Sequence, residues 1–189
     1  IFGKVIAGGY PGAGGVGGKK EYMKYLGAGL DDSGMKIKKA FTGGTMTANP
    51  LSCCAGYFTL EEIDKQNACQ KAGLMGDRLT EGLKGLIAKH NLPFVAWNEG
   101  SVCHLETVGT MHFSIDWCKP WSIPGVISAT SERKKEMQYM GAAYMAEGLV
   151  TLAGSRLYTS AAYTPKMIDQ ALQCFDKVFA NVAVKPSNK

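Results

Sequence analysis

Apolar and polar residues change rhythm along this chain, and each change predicts an element. The opening Ile1-Phe2-Gly3-Lys4-Val5-Ile6-Ala7 is a nearly continuous apolar run, as in a buried strand. Residues 8–18 are glycine-rich, with seven glycines in eleven positions, and predict a tightly turned loop, because they have few side chains to pack and excess backbone freedom. A short helix is predicted over Lys19 to Leu26, a polar turn over Gly27 to Gly34, and a strand over Met35 to Thr42 that ends at Gly43-Gly44. Pro50 suits a first helical position after Asn49, and the apolar run that follows predicts a buried helix. Over roughly 67–90 the apolar residues Leu79, Leu83, Leu86 and Ile87 recur at helical spacing, with Asp77, Arg78, Glu81 and Lys84 on the other side.

The period then shortens. Phe94 to Trp97, Val102 to Leu105 and Met111 to Trp117 read as short strands of an antiparallel meander, and Cys118 to Gly125 as an irregular connection. Ser131 is placed to cap a helix reaching Glu147. Strands are predicted over Leu149 to Leu152 and Leu157 to Ser160. Thr164-Pro165 starts a last helix with the stripe Ile168, Leu172, Phe175, Val178, Phe179 and Val182, and Lys185 to Lys189 form a frayed tail. This order describes the β-rich end of an α/β layer, a linking helix and a smaller α+β domain, divided as 1–66 and 67–189.

A composition of 46% hydrophobic and 20% charged residues supports a globular chain rather than a disordered or fibrous one. The formal net charge of +5 rests mostly on dispersed lysines, with Arg78, Arg133 and Arg156 the only arginines. That distribution predicts a solvated basic face and no nucleic-acid partner. No apolar run is long enough to cross a bilayer, so no membrane partner is expected. Cys53, Cys54, Cys69, Cys103, Cys118 and Cys174 show no staple-like spacing, which predicts reduced, buried thiols and, weakly, a cytoplasmic setting. The chain opens on Ile1 inside an apolar run without a polar lead-in, and it is expected to be part of a longer protein.

Two readings of the glycine loop follow. Gly12, Gly14 and Gly17 satisfy a dinucleotide-binding pattern, but the acidic stretch Asp31-Asp32 has no apolar strand to present it to a ribose. Lys4 offers the other reading. An ammonium inside an apolar strand is costly unless it sits at an exposed edge, its pKa falls, or it is used chemically, and a desolvated lysine is suited to imine chemistry.

The stretch Gly3-Lys4-Val5-Ile6-Ala7-Gly8-Gly9-Tyr10-Pro11 resembles the cofactor-lysine segment of class-III aminotransferases, especially the glutamate-1-semialdehyde aminomutase branch. The resemblance continues through Gly17-Gly18-Lys19-Lys20-Glu21-Tyr22-Met23 and at Gly44-Thr45-Met46-Thr47-Ala48-Asn49-Pro50. It departs in two places: the loop between Pro11 and Gly17 is one residue longer, and Ala7 stands where a third glycine is common.

The resemblance implies the C-terminal part of a fold-type-I transferase dependent on pyridoxal 5'-phosphate: the end of the large α/β domain plus a small α+β C-terminal domain. It implies that Lys4 forms the internal aldimine and then shuttles a proton, and that Gly44 and Thr45 hold the cofactor phosphate, Thr45 reaching it from the neighbouring subunit. It further implies a homodimer with a shared active site, a small-molecule amino donor and acceptor, and dependence on an upstream segment that supplies the rest of the site. Aminotransferase and aminomutase both remain open. So do a catalytically silent fragment of a larger complex and a dinucleotide-binding module. Thr45 could also be a plain strand-ending turn residue.

Arg156, in Gly154-Ser155-Arg156, is the arginine placed to grip a substrate carboxylate, with a surface ion pair as the alternative. His104 and His112 lie near Cys103 and Cys118 without the paired short intervals of a zinc site, so no metal is expected.

Overall fold

The computed structural model describes residues 2–10, 14–27, 29–41, 43–44, 47–107, 123–152 and 154–182. Of Lys4, Val5 and residues 123–133 it describes the backbone only. The chain forms two compact units, Ile1–Asn67 and Ala68–Lys189.

In the first unit the predicted opening strand is replaced by a 3-10 turn over Lys4–Ala7. Phe2 bridges Gly15 through a reciprocal pair of backbone hydrogen bonds, 2.7 and 3.0 Å, and no further ladder forms there among the described residues. An apolar run becomes a strand only with a neighbour to pair with, and one bridge is too little. The glycine stretch is a loop as expected. It leads into α1 (Lys20–Met23), which tightens into a 3-10 turn over Lys24–Leu26.

Asp31 organises the polar turn: its carboxylate accepts from the Ser33 and Met35 amides at 3.0 and 2.9 Å and from the Ser33 hydroxyl. Those bonds hold its pKa below the ordinary value, the Ser33 hydroxyl contributing most. The strand expected from Met35 onward is absent over the described residues to Phe41. Only Lys36 bridges back to Leu30, and the Phe41 side chain lies 93% exposed.

Helix α2 (Pro50–Lys65) starts where expected. The Asn49 side chain caps it, accepting from the Leu51 and Ser52 amides at 3.0 and 3.3 Å, and Pro50 occupies the first turn, where no amide is needed. Its burial differs from expectation: Ser52 is its buried residue, whereas Leu51, Tyr57, Phe58 and Leu60 are exposed. Apolar residues on most faces of a helix need partners on most faces, and this unit supplies the turn at Lys4–Ala7 on one.

Among the described residues the second unit is built around a three-stranded antiparallel sheet in the order β1 (Val95–Glu99), β2 (Val102–Glu106), β3 (Arg156–Tyr158). The register pairs Trp97 with His104 and Cys103 with Leu157. Period-two alternation sends Ala96, Cys103, Leu105 and Leu157 inward and leaves Val95, Trp97, Arg156 and Tyr158 outward. Among the described residues the strand on the other side of β2 is β3, far along the chain; the candidate at 111–117 lies outside the described residues, as do His112, Cys118 and the tail from Lys185.

Helix α3 (Ala68–Lys89) covers the inner face with Ala72, Leu79 and Leu83, and α5 (Pro165–Ala180) with Ile168, Phe175, Val178 and Phe179. Thr164 caps α5 by accepting from the Met167 amide, as its position predicts. Phe94 meets Phe179 edge-on at 5.5 Å, and Tyr144 meets Phe175 at 4.9 Å, which ties α4 (Ile123–Ala146) to the same core. Complete burial of a side chain such as Leu83 contributes roughly 2–3 kcal/mol. Arg78 fastens α3 to α5 with a two-toothed grip on Asp169 at 2.7 and 2.8 Å.

The helix expected to start at Ser131 begins at Ile123, with Ser131 in its interior. Pro124 lies in the first turn, where a missing amide hydrogen is harmless, so a residue assigned to an irregular connection instead opens the helix. A turn at Gly154 then leads into β3: its φ is +73°, and an added Cβ would stand 2.0 Å from the Met137 carbonyl oxygen. Only glycine fits that crossing.

Candidate functional site

The Lys4 backbone belongs to a turn rather than a strand. What fixes that turn is local: Ala7 is fully buried, its carbonyl accepts from the Tyr10 amide at 3.1 Å, and Gly8 and Gly9 follow with positive φ. At Gly8 a Cβ would approach Thr59 Oγ1 to 3.0 Å, so the backbone lies directly on α2. Lys4 is the sole charged residue between Ile1 and Gly18, and a cradle about 310 Å³ in volume opens beside the turn, bounded by Ile6, Gly14, Ser52 and Tyr57.

Gly43 and Gly44 flank the second predicted element. A Cβ on Gly44 would lie 3.0 Å from Thr47 Oγ1, and one on Gly43 would lie 3.1 Å from the Phe41 ring. A side chain at either glycine would have to displace a neighbouring one, and the bare backbone there is of the kind that can approach an anionic group closely. Thr45 lies outside the described residues. The Gly43-Gly44 backbone is compatible with an anionic group such as the phosphate of pyridoxal phosphate, and Lys4, of which the backbone alone is described, is the candidate amine for its aldehyde. Asp31, one of the unit's acids, is committed to its own turn.

Arg156 lies in the second unit, at the first position of β3, exposed, with its backbone paired to Leu152 in both directions at 3.1 and 3.2 Å. No side-chain hydrogen bond or ion pair engages it among the described residues, so the surface ion pair that sequence reasoning weighed is not formed there. His104 is occupied by a parallel stack on Trp97, with centroids 4.2 Å apart. Among the described residues no group of His, Cys, Asp and Glu could hold a metal. Cys53, Cys54 and Cys69 are exposed and Cys174 half-buried, against the expectation of buried thiols; Cys103 is buried, and burial pushes its pKa up. No helix among the described residues is long and apolar enough to cross a membrane.

The dinucleotide reading finds no support. It requires a parallel βαβ unit, and every strand pairing among the described residues is antiparallel. Sequence reasoning also missed a cavity between the residues following α4, β3 and α5, lined in part by Thr151, Arg156, Tyr163 and Met167. Its walls come from separated segments, so no linear motif could mark it.

Comparison with known proteins gives a consistent result. Glutamate-1-semialdehyde 2,1-aminomutase 1 of Staphylococcus carnosus is 30% identical over 189 aligned positions, covering 97% of this chain and 38% of the relative. The Staphylococcus aureus protein of the same name is 28% identical, covering 96% of this chain and 38% of its own length. Among solved structures, a transaminase with PLP bound superposes with a TM-score of 0.69 at 19% identity, over 94% of this chain and 37% of that one. An omega-transaminase from Sphaerobacter thermophilus superposes with a TM-score of 0.64 at 16% identity, over 87% and 34%. This chain therefore spans a little over a third of the length of the curated relatives it matches, and its architecture is part of the fold-type-I transferase fold. Residues 1–153 match the class-III aminotransferase family, and the chain belongs to that family.

Proposed function

We propose that this chain is part of a pyridoxal-phosphate-dependent aminotransferase or aminomutase in which Lys4 is the cofactor-bearing residue. The reading is carried by one observation: within the stretch matching the family, Lys4 is the sole charge in a glycine-rich segment, on a turn held by buried Ala7 and by Gly8 lying against α2. Bound pyridoxal phosphate supplies an electron sink for carbanion chemistry at an amino-bearing carbon. Lys4 Nζ would attach the aldehyde carbon and then carry a proton to and from the reacting carbons. That task requires an amine with a lowered pKa, which an apolar surround favours.

The bare Gly43-Gly44 backbone and the Thr45 hydroxyl would take the phosphate of the cofactor held by a second copy of the chain. Arg156 is the chain's candidate for a substrate carboxylate. We place Ile1–Asn67 in the large domain of the complete enzyme and Ala68–Lys189 in its small domain, with the upstream segment and a second copy of the chain completing the site in a cytoplasmic homodimer. The names of the relatives favour an aminomutase acting within one molecule. A catalytically silent fragment is the second reading, because the chain spans only 38% of the relative's length.

The test is borohydride reduction in the presence of pyridoxal phosphate, followed by peptide-level mass spectrometry of the chain together with its upstream segment. A pyridoxyl mass on Lys4, lost in Lys4→Ala, is the expected result. An unmodified Lys4 in that material would overturn the catalytic reading.

A further inference from the structure

We propose that the lysine-rich arm of the first unit, between Lys24 and Phe41, rests on an anionic lipid surface. The arm folds back on itself through its backbone. The Ala40 amide donates to the Tyr25 carbonyl at 2.8 Å, the Ile37 amide donates to the Gly29 carbonyl at 2.9 Å, and Leu30 bridges Lys36 in antiparallel sense. At the tip the Asp31 amide donates to the Met35 carbonyl at 2.8 Å, and the Asp31 carboxylate holds the turn closed.

This pairing gathers charge that is dispersed along the sequence. Lys36, Lys38 and Lys39 return beside Lys24, and Lys20 precedes Lys24 by one helical turn, with Lys19 next to it. All six lysines are exposed, and no salt bridge engages any of them among the described residues. Glu21, Asp31 and Asp32 are the acids of the same stretch, and the unit contains no arginine. Large apolar side chains share the surface: Tyr22, Tyr25, Leu30, Met35 and Phe41 are all exposed. Cross-strand partners point to one side of a ribbon, so Leu30 and Lys36 share a face, and Lys24 lies over the Tyr25 ring at 5.3 Å.

Lysines interleaved with exposed apolar groups suit a lipid surface. Anionic headgroups attract the ammonium groups, the lysine stems lie along the interface, and the apolar side chains enter the acyl boundary. A nucleic acid is the competing polyanion. It favours arginine forks and flat stacking rings, whereas the arm has no arginine and Leu30 and Met35 cannot stack. The expectation of no membrane partner rested on the lack of a spanning run, which resting at a surface does not require. The argument involves neither Lys4 nor the cofactor.

The experiment is co-flotation of the chain, together with its upstream segment, on phosphatidylcholine vesicles with and without phosphatidylserine. Saturable binding only to the vesicles containing phosphatidylserine is expected, weakening as salt is raised. Each lysine near such a surface contributes roughly fivefold, so Lys36→Gln, Lys38→Gln and Lys39→Gln combined should weaken binding roughly a hundredfold. The same loss of charge at the exposed Lys71, Lys134 and Lys135 should change it less than about twofold. Leu30→Ser combined with Phe41→Ser should weaken it several-fold at every salt concentration. Asp32→Asn should strengthen it several-fold, a gain that no folding defect produces. Absence of binding, equal binding to phosphatidylcholine alone, an arm lysine variant that binds like the control variant, apolar variants that bind like wild type, or no gain in Asp32→Asn would each overturn the proposal. Binding of oligouridylate with the same lysine dependence, in place of vesicles, would overturn it in favour of a nucleic acid. None of these results bears on the Lys4 reading, and an unmodified Lys4 would leave the lipid contact standing.

Discussion

The two units are held together by different means. In Ala68–Lys189 a continuous core runs from Leu79 to Phe179, with Leu83, Cys103, Leu105, Tyr144 and Phe175 all but inaccessible to water. In Ile1–Asn67 the buried residues among those described are Ala7 and Ser52, and order comes from backbone bridges, the Asp31 turn and the Asn49 cap, while Phe2, Phe41, Leu51, Tyr57 and Phe58 are exposed. The residues proposed for cofactor chemistry lie in the second kind of structure. A core fixes a side chain through many small contacts at once, whereas a turn fixes it through a few hydrogen bonds and the absence of a Cβ. The proposed placement of Lys4 therefore depends on the glycines and on the contact with α2 more than on a hydrophobic core.

Substitutions can break this contrast at its strongest point. Gly154→Val combines a positive φ with a Cβ 2.0 Å from the Met137 oxygen, and strain plus overpacking should cost roughly 4 kcal/mol. Urea unfolding followed by circular dichroism should show the core unit melting early. Next in size, Leu83→Ala should cost about 3 kcal/mol through lost burial and the cavity left behind. The matching truncation Leu51→Ala on α2, where the leucine is 62% exposed, should cost under about 0.5 kcal/mol. Equal effects of the two truncations would show that α2 is packed as tightly as α3.

The same contrast explains what the sequence made legible. Helices α3 and α5 follow their apolar stripes because Leu79, Leu83, Ile168 and Phe175 face a core made by the unit itself. The Asn49-Pro50 and Thr164-Pro165 starts were legible because capping is local chemistry. The strands expected near Lys4 and Met35 were misread because an apolar run specifies burial without specifying a neighbour. The helix start at Ile123 was missed because a proline can open a helix as readily as it can end one. Of the site, Lys4 and Gly44-Thr45 were visible as motifs, whereas the cavity around Arg156 joins residues from separated segments and could not be.

The caps provide a finer comparison, because one motif occurs in both units. Thr164→Ala removes the acceptor for the Met167 amide and should destabilise the core unit by about 1 kcal/mol. Asn49→Ala removes the acceptor for two amides, but α2 is not locked by a core. Its loss should appear as faster hydrogen exchange in the first turn of α2, while the melting of Ala68–Lys189 is unchanged.

The smallest effect should be a pH dependence confined to the core unit. Asp176 on α5 accepts from Lys89 at 2.7 Å and lies 2.6 Å from His90 Nε2, and these partners, Lys89 first, hold its pKa below the ordinary 3.8. A carboxylate whose pKa is lower in the folded state stabilises that state above its unfolded pKa, and the contribution is lost as pH falls below 3.8 through the folded value. The pair is open to solvent, so added salt should shrink the effect. Melting temperatures of wild type and Asp176→Asn should differ at pH 6 and converge below pH 3.8, with wild type the more stable at the higher pH. Curves that stay parallel through that window would show that the Lys89–Asp176 pair contributes nothing to holding α3 against α5.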